Sequence, residues 1–407
     1  MPLPTTVADR PSAPGAALSR GMTLLLAGAC GLIVANLYYP QPLAGPISAS
    51  LGLSHAGAGL IVTMTQLGYG AGLFFVVPLG DLVDNRRLVL GISAVGTLAL
   101  LGAALAPTAG LFLAAALLIG LGSVAVQILL PFAAHLAPEA KRGRVVGNVV
   151  SGVMLGIMLS RPIASFIAQA SSWHAVFFAA AASMVGVMAV LARALPPREP
   201  AEGSSYRTLL ASMFELARTT PVLRRRALYQ FCLFGAFSLF WTTTPLLLAG
   251  PPYGLSQGGI AVFALAGVAG AVSAPIAGRV ADLGHTRVGS GCAMVLAAAS
   301  FGLARLGAPG LPLALGLLAA AAVVLDFSVT ASLVFGQRAI FALGDHVRAR
   351  LNGLFIAFFF VGGAAGSAAG GWAFAAGGWP SASAVGAAFP LLALLCFATE
   401  AFGRRGA

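Results

Sequence analysis

Between residues 21 and 402 the chain is a succession of apolar runs, and its Lys and Arg residues gather at every second turn between them. Runs of about 20 residues are what a helix needs to cross a bilayer. The basic clusters are Arg86 and Arg87, then Lys141, Arg142 and Arg144, then residues 193–226, 279–287 and 338–350, and finally Arg404 and Arg405. The intervening turns, near Gly52, Pro107, Ser172, Gly254, Ala308 and Gly378, carry almost no Lys or Arg, with Arg305 as the exception. Positive charge on alternate turns marks the cytoplasmic side of a polytopic membrane protein. The net charge of +12 is therefore a record of topology and not a nucleic-acid footprint. Only 8% of residues are charged, too few to keep a chain of this length in solution. The expected fold class is an all-α membrane protein of twelve transmembrane helices with both termini in the cytoplasm.

The spans read as 21–46, 56–79, 88–106, 110–137, 146–170 and 174–193, followed by 226–249, 258–279, 287–306, 311–338, 352–375 and 381–402. This gives a disordered cytoplasmic tail over 1–20, without the pattern of a cleaved signal peptide, and a first six-helix half over 21–193. A cytoplasmic linker covers 194–225, the second half runs over 226–402, and a short tail covers 403–407. The linker opens with the loop chemistry of LPPREPAEGSS. It continues with Leu209, Leu210, Met213, Leu216 and Ala217 at helical spacing among basic residues, which suits either an interfacial helix or a solvated connector. Cys30, Cys232, Cys292 and Cys396 sit singly inside spans, away from any pairing or metal-ligand spacing.

The halves repeat one another. Residues 142–148, RGRVVGN, match 348–354, RARLNGL, an offset of 348 − 142 = 206, and the same offset carries Trp173 onto Trp379. Gly80–Asp84 reappears as Gly278–Asp282, each followed by Arg, and LGLSHAG at 51–57 echoes YGLSQGG at 253–259. Two parallel six-helix repeats joined by a cytoplasmic linker form a transporter architecture, with the substrate path between them.

On these residues the chain resembles the major facilitator superfamily over its whole length. The superfamily's loop signature matches Gly80, Asp84, Arg86 and Arg87, shorter by about two residues, with a weaker copy at Gly278, Asp282 and Arg287. The resemblance implies that Gly lets helix ends approach while Asp and Arg latch them through charge-assisted hydrogen bonds. The glycine signature of the superfamily's antiporters is similar to Gly147, Gly156, Ser160, Ala164 and Ser165 in the fifth span, where Arg161 takes the proline position and Pro162 follows. The eleventh span keeps that spacing with Gly353, Gly362, Gly366, Gly370 and Gly371. The resemblance makes Gly147, Gly156, Gly362 and Gly366 candidates for a conformational gate, since small residues let helices slide or bend. It points to the drug- and metabolite-efflux branch driven by protons. One departure stands out: Ala116 occupies the fourth-span position where such antiporters carry an Arg.

Two charges lie inside spans instead: Arg161, about fifteen residues into the fifth, and Asp326, near the middle of the tenth. A centrally placed Arg or Asp costs about 2.5–3.5 kcal/mol each on translocon scales, so both are expected to face a cavity or a partner. At the 206 offset Asp326 falls on Gly120 and Arg161 on Ser367, so each half has gained one charge, of opposite sign. The resembled fold brings the fifth and tenth helices together beside a central cavity, which implies an Arg161–Asp326 ion pair that opens and closes with proton uptake. A permanent structural pair, or separate roles with Arg161 binding an anionic substrate, are the alternatives.

Further cavity candidates are Asn36, Tyr38, Tyr39 and Gln41 on the first span, whose outer end Pro40 and Pro42 must disturb. Thr63, Gln66 and Tyr69 lie on the second, Gln127 on the fourth, and Gln230, Trp241 and Thr242 to Thr244, Thr243 among them, on the seventh. Amides, hydroxyls and aromatics in an apolar cavity suit an amphiphilic organic substrate. No phosphate-binding Gly-Lys-Ser loop, catalytic triad or metal-ligand cluster stands out, so no enzyme, cofactor or metal is expected. The reading is a monomeric secondary transporter, multi-pass in a bacterial plasma membrane, exporting a small organic compound by proton antiport. The alternatives are a symporter or uniporter importing a nutrient or organic anion through Arg161, and a non-transporting sensor or scaffold.

Overall fold

The computed structural model describes residues 20–197, 205–307, 309–344 and 347–403. Most of the two expected tails and the opening of the linker lie outside the described residues. The first six spans are α1 (Arg20–Ala35) with α2 (Pro40–Leu51), α3 (His55–Phe75), α4 (Asn85–Ala104), α5 (Ala109–Ser123) with α6 (Ala125–Leu136), α7 (Arg142–Ala170) and α8 (Trp173–Ala194). A short helix, α9 (Tyr206–Thr219), lies in the connecting segment. The last six are α10 (Pro221–Ala249), then α11 (Gln257–Ala264) continued through a 3-10 stretch into α12 (Ser273–Asp282), then α13 (Thr286–Leu303), α14 (Pro312–Phe341) and α15 (Arg348–Gly403).

At 1.5 Å per residue, the 56 residues of α15 would reach about 84 Å, more than twice the hydrocarbon core. Its helical geometry breaks at Gly377 and Gly378, where φ of +61° at Gly378 needs a residue without a Cβ, so α15 holds two spans. With that division the described residues contain twelve membrane-crossing segments. The turns without basic residues start their returning helices with hydroxyl caps: Ser54, Thr108, Ser172 and Ser256 each accept from a backbone N–H three residues on. Asp84 does the same at the cytoplasmic start of α4, accepting from Arg87 N at 2.8 Å.

Glycine decides how the helices pack within each half. A Cβ at Gly152 would stand 2.6 Å from the carbonyl carbon of Ala27, and one at Gly156 would stand 2.6 Å from that of Gly31, so α7 lies against the bare backbone of α1. The second half repeats this contact: Gly362 abuts the backbone of Phe231 and Gly366 that of Gly235, seating α15 on α10. Gly156, Gly362 and Gly366, expected at a gate between halves, thus pack helices of the same half. Gly147 and Gly278 have open space where a Cβ would be.

The halves meet at their exterior ends. Gly59 on α3 faces Ser367 and Gly371 on α15, where a Cβ on Gly371 would come within 2.9 Å of Gly59 Cα. Ser367 Oγ donates to Gly59 O at 2.8 Å, Thr63 Oγ1 to Ala364 O at 3.1 Å, and Gly258 N to Gln169 Oε1 at 3.1 Å. Replacing Gly156 by Leu is expected to lower the thermal midpoint of the purified protein by the equivalent of about 1–3 kcal/mol of overpacking. Gly147→Leu should leave the midpoint where it was. Equal midpoints for the two variants would contradict the close approach of α7 to α1.

Candidate functional site

The first span breaks where the sequence placed its prolines. Pro40 and Pro42 offer no N–H to the helix ladder, so the chain turns at residues 36–39 and restarts as α2 with Pro40 in its first turn. Such a break is tolerated at membrane depth only inside protein, and Asn36, Tyr38, Tyr39 and Gln41 are all buried. The turn carries Tyr38 and Gln41 to Arg161 on α7: Arg161 Nε donates to Gln41 Oε1 at 2.7 Å.

Arg161 is 2% exposed and enclosed by aromatic rings. Its guanidinium carbon lies 5.2 Å from the ring centre of Tyr38, 5.1 Å from Phe237 and 4.4 Å from Trp241. The last two belong to α10 in the opposite half, so these cation–π contacts cross the boundary between halves. Each is worth about 0.5–2 kcal/mol, more when desolvated. Trp241 in turn donates its indole Nε1–H to Asp326 Oδ1 on α14 at 2.8 Å. Arg161 therefore meets the face of the indole and Asp326 its N–H edge, and among the described residues no salt bridge joins the two directly. In this conformation the pair expected from the sequence is not in direct contact, and Trp241 meets both members. An aromatic ring is negative on its face and positive at its edge. Trp241 turns its face to the cation and its N–H edge to the anion, so it is matched to both.

Asp326 fits because of an exchange between the repeats. In the first half Gly120 lets α5 approach Thr65, with a Cβ there landing 2.8 Å from Tyr69 N. The repeat of 54 onto 256, an offset of 256 − 54 = 202, carries Thr65 onto Gly267. In the second half Gly267 is the small member and Asp326 the large one: a Cβ at Gly267 would be 2.9 Å from Asp326 Oδ2 and 3.0 Å from Trp241 Cζ2. Gly267 lies in the 3-10 stretch Leu265–Val272, so the eighth span changes from α to the tighter 3-10 winding beside the carboxylate. Sequence reasoning missed Gly267; its repeat partner Thr65 was the available signal. It also missed Phe237, which stands one turn before Trp241 on the same face of α10.

The other candidates divide. Gln66 Nε2 donates across the halves to Ser238 Oγ at 2.8 Å, and a Cβ on Gly363 would displace either its Oε1 or the ring of Phe234. Gln127 Nε2 donates to Tyr69 Oη at 2.9 Å within the first half, while Tyr69 meets Phe360 of the second at 4.2 Å between centroids. Gln230 Nε2 donates to Val329 O at 3.3 Å, tying α10 to α14. Thr243 faces away from this centre: its hydroxyl returns to Leu239 O in its own helix and its methyl lies toward Gly370. Thr242 is the productive neighbour, sharing a hydrogen bond of 3.1 Å with Ser367. Asn36 Oδ1, Gln41 Nε2, Gln66 Oε1, Arg161 Nη2 and Gln230 Oε1 are buried without a protein hydrogen-bond partner. Polar atoms in that state are costly and suit a ligand that supplies the missing partners.

At the cytoplasmic ends, Arg86 donates to Ala192 O on α8 and Asp84 caps α4. In the second copy Asp282 pairs with Arg338 at 3.1 Å, on an exposed surface, while Arg287 stacks on Phe397.

The sequence profile described as Major Facilitator Superfamily matches residues 24–344. The transporter YgaY of Escherichia coli is 38% identical over 383 residues, covering 94% of this chain and 96% of the relative. "Probable transporter SCO4007" of Streptomyces coelicolor is 35% identical over 382 residues, covering 93% and 87%. Among solved structures, a mutant of the nucleoside transporter NupG superposes with a TM-score of 0.76 at 14% identity, covering 93% of this chain and 99% of that one. A bacterial homologue of the human lysosomal transporter Spinster, inward-facing and occupied, gives 0.76 at 15%, covering 95% and 98%. At such identities the two structures speak for the fold alone.

Trp241→Phe keeps a ring beneath Arg161 but deprives a buried carboxylate oxygen of its donor, an expected loss of about 1–3 kcal/mol of stability. The loss should shrink markedly in an Asp326→Ala background, measured as a double-mutant cycle of unfolding in detergent. Equal losses in both backgrounds would show that the indole N–H does not serve Asp326.

Proposed function

Because the chain belongs to the major facilitator superfamily and is a multi-pass membrane transporter, we propose that it exports a small organic compound across the bacterial plasma membrane by proton antiport. Alternating access takes place between the six-helix halves, and Asp326 is the group that takes up and releases the proton. The observation that carries this reading is the Arg161–Trp241–Asp326 stack, which crosses from one half to the other through a single aromatic ring.

Rocking the halves apart on one side would move Arg161, on α7, away from Trp241, on α10. A buried carboxylate left without a nearby cation is neutralised by a proton, whereas a cation close by favours its charged form. Conformation and proton occupancy are then linked, and the linkage is reciprocal. The hydrogen bonds across the exterior ends give the arrangement in which Asp326 would exchange its proton with the cytoplasm. Substrate would enter among Asn36, Gln41, Gln66 and Gln230, whose unpaired atoms supply both donors and acceptors.

One observation favours a second reading. Arg161 Nη2 and Gln41 Nε2 are both unpaired donors, held beside each other by the Arg161–Gln41 hydrogen bond. Two adjacent donors suit the oxygens of an organic anion, imported by symport or facilitated diffusion. Substrate-stimulated proton release from energised vesicles supports antiport, and uptake enhanced by an acidic exterior supports symport.

In proteoliposomes, Asp326→Asn is expected to retain exchange of substrate for substrate while losing proton-driven accumulation. A variant with both activities intact would remove Asp326 from the coupling mechanism.

A further inference from the structure

Away from the central site, a cavity of about 670 Å³ opens at the cytoplasmic end of the second half. It lies between the starts of α10 and α13 and the ends of α14 and α15. Arg225, Arg226, Arg287 and Arg338 line it, and Glu400 is the single acid. Those four cations are only partly answered. Arg225 approaches Glu400 at 3.8 Å, but Glu400 also accepts from Tyr229 Oη at 2.8 Å. Arg338 pairs with Asp282 at 3.1 Å with both side chains more than half exposed. Arg226 stacks on Tyr229 and donates to Ser290 Oγ, and Arg287 stacks on Phe397. Stacked guanidiniums keep N–H groups at their edges for a planar or tetrahedral oxyanion.

A second hollow draws on the same stretch of chain. It is an apolar groove of about 280 Å³ between α12, α13 and α14, lined by Ile276, Val280, Val288, Leu296 and Phe327 among others. The two are consecutive along the chain: Gly284 and Arg287 line the basic cavity, while His285 and Val288 line the groove. Around this junction Leu283 is 73% exposed and Val288 63%, as expected of side chains that face acyl chains and not water. A free phosphate has no use for the groove, and a neutral lipid has none for four arginines.

We propose that this pair of hollows binds a phospholipid of the cytoplasmic leaflet that has an anionic headgroup. The headgroup phosphate is held by Arg225, Arg226, Arg287 and Arg338, and one acyl chain lies in the groove over Val280, Val288 and Phe327. Basic pockets between helices on the cytoplasmic side have the chemistry to select such headgroups, and here residues of pocket and groove alternate along 284–288. The site lies apart from the Arg161–Trp241–Asp326 stack, so it stands independently of the transport reading.

The test uses the full-length protein, delipidated in neutral detergent and titrated with phosphatidylglycerol, phosphatidylcholine of matching chains, or glycerol phosphate. Native mass spectrometry reports bound lipid, and peptide-resolved alkylation reports Cys292, which is exposed and lines the groove. Phosphatidylglycerol should be retained and should slow alkylation of Cys292; phosphatidylcholine should be retained at least ~tenfold less well, and glycerol phosphate should give no protection. Arg225→Gln together with Arg287→Gln should weaken phosphatidylglycerol retention about thirtyfold. Equal retention of the two lipids, or alkylation indifferent to phosphatidylglycerol, overturns the proposal. So does glycerol phosphate competing as strongly as the lipid, which would make the ligand a free phosphate. The alkylation arm needs no substitution and decides the matter even where the double variant fails to fold.

Discussion

A guanidinium and a carboxylate inside an apolar bundle present a problem that most membrane helices avoid by having neither. Bringing the two into contact satisfies both but ties the halves of a transporter together with a strong bond that motion must then break. Keeping them far apart leaves each to bear its own desolvation. Trp241 offers a third arrangement. Its face stabilises Arg161, its edge N–H stabilises Asp326, and the contact that crosses the halves is the cation–π contact. That contact is weaker and less directional than an ion pair. The hydrogen bond to the carboxylate stays within the second half, since α10 and α14 both belong to it. An interface that slides can lose the first without disturbing the second.

The surrounding packing serves this centre. Arg161 rides on α7, and α7 is fixed to α1 through bare backbone at Gly152 and Gly156. The same α1 ends at the turn that delivers Tyr38 and Gln41 to the guanidinium. On the other side α10, which carries Phe237 and Trp241, is fixed to α15 through Gly235, Gly362 and Gly366. Each charge-bearing or ring-bearing helix is therefore fixed to a partner of its own half, while α3 and α15 hold the two halves together beside the stack. The helix pairs α1–α7 and α10–α15 are repeats of one another, so the same device supports both faces of the stack.

Much of this was legible from residues alone, for identifiable reasons. Span positions follow from hydropathy, and orientation from the basic turns. Pro40 and Pro42 announced the break in the first helix because proline has no N–H to give. The two intramembrane charges were visible because nothing else charged lies so deep. What sequence could not reveal was the intervening contact: Arg161 and Asp326 read as a pair because the resembled fold brings the fifth and tenth helices together, and here each meets Trp241. The glycines were recognisable by spacing, but spacing does not say which neighbour a bare backbone meets. Gly156 and Gly362 turned out to face their own halves, and the closure between halves fell to Gly59 and Gly371. Thr243 illustrates the same limit, since its hydroxyl returns to its own helix while the neighbouring Thr242 meets Ser367 on α15.

The repeat itself bears on where such a molecule can move. In the first half, Gly120 faces Thr65 and lets two continuous helices lie backbone to backbone. In the second, the small residue has changed sides: Gly267 yields and Asp326 fills the space. The eighth span passes through a 3-10 stretch beside that carboxylate and indole. 3-10 segments within longer helices have poorer hydrogen-bond geometry and often mark hinges. Two features therefore coincide in the second half. The acid is a titratable group at mid-membrane, and the helix packed against it carries the 3-10 stretch.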